Sequence, residues 1–116
     1  MLSLVKTFSE LETTISSTPR LVVDYSASWC APCKRILPII EQLAQDNPNI
    51  TFLKVDVEDV ECQGINALPT FEFYRSGSLQ HTVQGANAEE VKQAVLALLK
   101  DGQLLQEDIL NWEAQS

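Results

Sequence analysis

Leu21-Val22-Val23-Asp24-Tyr25-Ser26-Ala27-Ser28-Trp29-Cys30-Ala31-Pro32-Cys33-Lys34-Arg35 sets a short apolar, β-branched run directly against two cysteines spaced two residues apart. Residues 20–26 read as a central strand buried on both faces. From Pro32 onward Ile36, Leu37, Ile40, Leu43 and Ala44 recur at helical spacing, so the cysteines fall where a strand passes into a helix. Cysteines at i and i+3 in a first helical turn share one face and come close enough for a disulfide. Cys30 takes the helix N-terminus, where unpaired N–H groups and the positive end of the helix dipole favour an anion, and Lys34 and Arg35 add positive field. The thiolate is the attacking species in disulfide exchange. Cys30, the more acidic and more exposed thiol, is therefore the expected nucleophile, with Cys33 resolving. A zinc site and a pair of merely packed cysteines are the competing uses. Zinc needs four ligands and the only other candidates are Cys62 and His81, with no second Cys-x-x-Cys pair, so no metal is expected.

Asp24 is the anomaly of the strand. A carboxylate in an apolar strand is costly unless paired, and burial raises its pKa, which suits a proton acceptor for Cys33. Lys54, on the neighbouring apolar run, is its natural partner. The competing readings are a carboxylate turned to solvent for Asp24 and a snorkelling side chain for Lys54.

With 116 residues and 45% hydrophobic content the chain fits one compact domain. A net charge of -8 argues against nucleic acid and acidic membrane surfaces, which need clustered Lys and Arg. Met1 to Lys6 is too short an apolar stretch for a signal-peptide core or a membrane span, and three cysteines cannot all pair, so a cytoplasmic location is expected.

Along the chain, residues 4–8 read as a short strand, and Ser9 as the cap of a first helix that ends before Thr18-Pro19. Pro38 should kink the second helix without ending it. Residues 50–57 read as a strand and residues 58–64 as a short helical segment. Residues 70–74 and 79–83 form an antiparallel pair joined through Arg75-Ser76-Gly77-Ser78, with Gly85 as a bend or bulge. Asn87 caps a last helix whose buried stripe is Val91, Ala94, Val95 and Leu98. The order βαβαβαββα predicts an α/β fold: a mixed sheet of about five strands flanked by about four helices, with the cysteines at the C-terminal end of a parallel strand.

The segments 23–34, 52–57, Leu68-Pro69-Thr70-Phe71 and Gly85-Ala86 together resemble the thioredoxin family, over residues 4–99. The resemblance implies the thioredoxin fold and a protein-disulfide reductase active in cell redox homeostasis. It implies electrons taken from an NADPH-linked flavoprotein, thioredoxin reductase, and passed to disulfide-containing client proteins, with no cofactor in this chain. It also makes Cys30 the attacking thiol, Cys33 the resolving thiol and Trp29 an aromatic shield. Trp29, Ala31, Pro32, Leu68 and Pro69 become the client-binding residues, with Pro69 a cis-proline that presents a free backbone edge. Ala31 stands where the family usually has glycine, which bears on the redox potential. The stretch between Asp56 and Pro69 looks about one turn shorter than the family's third helix.

Two rivals differ in chemistry: a glutathione-dependent glutaredoxin, which the Trp29–Cys33 sequence disfavours, and a binding module whose dithiol is incidental, which Asp24 disfavours. The division expected is a domain of residues 1–99 and a C-terminal extension of residues 100–116. In the extension Leu105, Ile109 and Trp112 recur at i, i+4 and i+7, the pattern of an amphipathic helix. A monomer is expected, with association through the tail as the exception. Cys62 and His81 carry no catalytic signal.

Overall fold

A computed structural model describes residues 2–100. Its elements run β1 (Leu2–Val5), α1 (Phe8–Ser17), β2 (Arg20–Ser26), α2 (Ala31–Asp46), β3 (Thr51–Asp56), β4 (Thr70–Arg75), β5 (Ser78–Gln84) and α3 (Ala88–Leu99). The sheet order is β1-β3-β2-β4-β5. β1 and β2 both run parallel to β3, while β4 is antiparallel to β2 and β5 to β4. Strand β2 therefore sits in the middle, and six of its seven residues are buried.

Period-two alternation sorts the strands' side chains between two cores. On one face Val22, Phe52, Phe71, Phe73 and Val83 pack under Ile36, Ile40 and Ala44 of α2 and Val91, Ala94, Val95 and Leu98 of α3. On the other, Val5, Leu21, Val23, Tyr25, Leu53 and Val55 pack with Leu11 of α1 and with Val60. Burying so many Phe, Ile, Leu and Val side chains, at about 1.5–3 kcal/mol each, makes these two layers the main source of stability. The last carbonyls of α3 are taken by two register partners on the sheet. Arg20 Nε donates to Leu98 O at 2.8 Å, and Arg75 Nη2 donates to the same oxygen at 2.9 Å. These cations meet the negative end of the helix dipole.

Three expectations are corrected. The first strand ends at Val5, and the cap of α1 is Thr7, whose hydroxyl accepts the Glu10 N–H at 3.1 Å. Thr7 and Ser9 each have a glutamate three residues on, so the capping spacing alone does not choose between them. Residues 58–64 form no helix. Asp56 O accepts the N–H groups of both Asp59 and Val60 at 3.0 Å, Asp56 Oδ1 accepts that of Glu58 at 2.9 Å, and the chain leaves this single turn with Val60 fully buried in the core and Cys62 half-buried against it. One fully buried anchor is too little to carry a helix past its unfavourable first turn. The described residues thus contain three helices, not four. The helix expected over residues 105–112 lies outside the described residues.

Helix α2 continues through Pro38. The β4–β5 hairpin turns on Ser76 and Gly77 with φ of 49° and 84°, the both-positive signature that matches strand twist in a two-residue turn. A Cβ at Gly77 would meet only ordinary contacts, Ile15 O at 3.7 Å and Ser16 Cα at 3.8 Å, so the turn demands glycine for its backbone angle alone. Gly77→Ala is expected to cost about 1–2 kcal/mol, read as a lower denaturation midpoint with an unchanged denaturant slope.

Candidate functional site

Helix α2 begins where the C-terminal end of β2 delivers it. Ala27 O accepts the Cys30 N–H at 3.1 Å, Cys30 O accepts the Lys34 N–H at 3.2 Å, and Cys30 is the N-cap. Cys30 and Cys33 form a disulfide with Cα atoms 5.3 Å apart. Cys30 Sγ accepts the Cys33 N–H at 3.2 Å, which aims one of the helix's unpaired donors at that sulfur. Proline follows in the first turn, where a missing N–H does no harm.

Exposure does not separate the two cysteines: Cys30 is 4% exposed and Cys33 7%. The expectation that Cys30 is the more exposed is corrected. Both pack with Ala27 in one small cluster against Val57 and Leu68. What separates them is electrostatic position, since Cys30 alone caps the helix.

Asp24 lies beneath, 2% exposed, on the same face of β2 as Val22. Its register partners are Lys54 on β3 and Phe71 on β4. Burial pushes the Asp24 carboxyl up to about 7, and the nearby Lys54 ammonium pulls it down by a smaller amount. Asp24 Oδ1 has no hydrogen-bond partner in the protein, and neither has Ser26 Oγ. A cavity of about 60 Å³ lined by Asp24, Ser26, Ala27, Ser28, Cys33, Lys34, Leu37 and Lys54 joins the carboxyl to the disulfide.

An open groove of about 460 Å³ runs along the other side of the disulfide, lined by Trp29, Cys30, Ala31, Pro32, Val57, Ile65, Asn66, Ala67 and Leu68. No charged side chain lines it. Trp29 is 67% exposed and so stands as a wall on the groove, not as a lid packed over the sulfurs. The Leu68–Pro69 bond is cis. Pro69 itself is buried and does not line the groove, and its carbonyl accepts the Gly85 N–H at 2.7 Å. The free edge expected at Pro69 is therefore occupied on its carbonyl side. Four of the five residues expected at the client site, Trp29, Ala31, Pro32 and Leu68, do border the groove. Val57, Ile65, Asn66 and Ala67 join them unforeseen: Val57 stands just past the end of β3, and the other three lie in the irregular stretch before β4.

Cys62 is half-buried against the other core. Burial pushes its thiol up, and Glu72 adds to that, which makes it a poor nucleophile. Glu72 Oε1 accepts the hydroxyls of Tyr25 and Tyr74 at 2.7 and 2.8 Å. His81 tilts against Phe73 with ring centroids 6.4 Å apart, and burial lowers its imidazole to about 4. Among the described residues no group of three or more His, Cys, Asp or Glu is placed to hold a metal ion, and no helix is long and apolar enough to cross a membrane.

A reversible dithiol at a helix N-terminus, beside an uncharged groove and above a buried acid, defines a dithiol-disulfide oxidoreductase on a five-stranded α/β scaffold. The chain belongs to the thioredoxin family, whose model matches residues 3–97. It is 37% identical over 99 residues to thioredoxin 1 of Plasmodium falciparum, an alignment covering 82% of this chain and 95% of that protein. Against thioredoxin-1 of Saccharomyces cerevisiae the identity is 36% over 101 residues, covering 84% and 98%. The solved Plasmodium falciparum thioredoxin superposes with a TM-score of 0.77 at 37% identity, covering 81% of this chain and 96% of that one. Reduced Schistosoma mansoni thioredoxin superposes at 0.78 with 31% identity, covering 84% and 98%. Protein-disulfide reductase activity follows from the family and the Cys30–Cys33 pair together.

The raised Asp24 carboxyl has a stability consequence with a definite sign. The folded state holds this proton more tightly than the unfolded chain, so its contribution is fully present below the ordinary value of 3.8 and is lost as pH rises through about 7. At about 1.4 kcal/mol per pH unit the interval corresponds to about 4 kcal/mol. Oxidised Asp24→Asn should therefore gain stability relative to the parent progressively between these two values and hold a constant advantage above them, as chemical denaturation over a pH series will show. A difference that does not vary with pH would mean that Asp24 titrates normally.

Proposed function

We propose that this protein carries electrons from an NADPH-linked flavoprotein reductase, a thioredoxin reductase, to disulfides of client proteins in the cytoplasm. The disulfide at the α2 N-terminus on the rim of the uncharged groove is the observation that carries the proposal. Cys30 is the nucleophile. Its thiolate attacks one sulfur of a client disulfide, forms a Cys30–client bond and expels the second client sulfur as a thiolate, which takes a proton from solvent. Cys33 resolves. Its thiol passes a proton to the Asp24 carboxylate, and the resulting thiolate attacks Cys30 Sγ. This forms the Cys30–Cys33 disulfide and breaks the Cys30–client bond, releasing the client sulfur that Cys30 had attacked as a thiolate. Two electrons leave the protein, and the reductase returns them.

The helix N–H aimed at Cys30 Sγ and the helix dipole support the first role, because they stabilise an anion at that sulfur more than at Cys33. A carboxyl held near neutrality beside Cys33 supports the second, since a base is most effective when its pKa lies near the working pH. Lys54 keeps that carboxyl from rising further. The groove walls Trp29, Ala31, Pro32 and Leu68 would seat the residues flanking a client cysteine by apolar contact. Such contacts are tolerant of sequence, as a reductant with many clients requires.

In an insulin-reduction assay Cys30→Ser should lose essentially all turnover. Cys33→Ser should accumulate a mixed disulfide with the client through Cys30, reversed by dithiothreitol. Trapping through Cys33 in the Cys30→Ser protein would reverse the two assignments. The reaction is assigned to residues 1–99, with residues 100–116 an addition that it does not need. Truncation after Leu99 should keep the insulin-reduction rate within about twofold, and a loss beyond about tenfold would place part of the site in the extension.

A further inference from the structure

Ser26 is the second unpartnered polar group beneath the disulfide. Alternation along β2 places it with Val22 and Asp24 on the α2 face, where it is 3% exposed. Ser26 and Asp24, whose Oγ and Oδ1 have no partner in the protein, both line the cavity of about 60 Å³ that reaches Cys33 and Lys54. Buried polar groups are as a rule hydrogen-bonded, through water where protein partners are lacking. A cavity of this size admits water, and a buried water is held by two to four polar partners. Asp24, Ser26, Cys33 and Lys54, from β2, α2 and β3, supply that number. Lys54 can only donate, whereas the Ser26 hydroxyl both donates and accepts without changing charge.

We propose that Ser26 is a positioning residue of the resolving step, its hydroxyl fixing the water through which the proton of Cys33 reaches Asp24. The inference rests on the proposed role of Asp24. The water gives a proton to the Asp24 carboxylate as it takes the thiol proton of Cys33. The Cys33 thiolate then forms its bond to Cys30 Sγ, and the Cys30–client bond breaks with its electron pair on the client sulfur. Reduction of the disulfide runs the same relay in reverse. The groups facing the carboxyl are Lys54 from β3 and Cys33 and Lys34 from α2, and Phe71 on β4 is uncharged. Ser28 also lines the cavity but is exposed, so Ser26 is the buried hydroxyl of the set.

Stopped-flow mixing of the reduced protein with an aromatic disulfide whose thiolate is coloured releases one thiolate on attack by Cys30 and a second on resolution by Cys33. Ser26→Ala should leave the first phase unchanged, slow the second about tenfold near neutral pH, and move the pH midpoint of the second phase upward, because the carboxylate loses a supporting donor. In an Asp24→Asn background the same change should add nothing, since the relay has already lost its acceptor. A second phase unaltered by Ser26→Ala but altered by Asp24→Asn overturns the inference and leaves the role of Asp24 standing. A second phase unaltered by Asp24→Asn removes the reading on which it rests. Equal slowing of both phases, or an undiminished Ser26→Ala effect in the Asp24→Asn background, assigns Ser26 to general packing and also overturns the inference.

Discussion

A carboxyl with almost no access to water, in the middle strand of the sheet and directly below the disulfide, is the constraint around which the rest of the molecule is arranged. Asp24 has strands on both sides and α2 above, so bulk solvent hardly reaches it and the small cavity beside Cys33 is its one outlet. Phe71, its partner on β4, is one of the side chains that build this core. Stability and reactivity are therefore opposed at this residue. The fold tolerates an acid that weakens it at neutral pH, and in return a proton acceptor sits beside the resolving cysteine. Lys54 moderates the opposition from the next strand without forming a close ion pair, which would have pinned the carboxylate in its charged form and emptied it of buffering capacity near neutrality.

The two cysteines sit in one short turn yet meet different fields. Cys30 faces a helix N–H and the groove; Cys33 faces the cavity and the acid. A strand that ends against a helix start produces this asymmetry without specialised machinery. The strand's C-terminal end aims the chain, the helix N-terminus supplies positive potential, and the side chains one turn further in are driven toward the sheet by the apolar stripe of Ile36, Ile40 and Ala44. A client approaches from the groove side while proton exchange takes place on the cavity side, so the two steps do not compete for the same space.

Much of this could be read in the sequence because the signals are local. The apolar run before Cys30, the helical spacing after Cys33 and the out-of-place Asp24 each report directly on burial or periodicity. The Ser76-Gly77 turn and the Asn87 cap are equally local. The turn after β3 is not legible in the sequence because its order comes from Asp56, whose carbonyl and carboxylate close one turn that then has no apolar face to extend. Thr7 was passed over as a cap because Phe8 reads as strand, although it is half exposed at the first position of α1. The groove was half legible. Trp29, Ala31, Pro32 and Leu68 stand near recognisable motifs, whereas Val57 stands just past the end of β3 and Ile65, Asn66 and Ala67 reach it by the path of an irregular segment that no periodicity describes. Ser26 was invisible as a site residue for another reason: only the shared cavity reveals that its hydroxyl has no partner.

The most direct test is the titration of Asp24 itself, followed by the carboxyl carbon resonance of the intact protein labelled at aspartate and assigned by comparison with Asp24→Asn. The account predicts a midpoint near neutrality, about 7, for this one resonance among the aspartates. A midpoint near the ordinary value of 3.8 would mean that the carboxylate is solvated and charged throughout the working range, and would contradict the account at its centre.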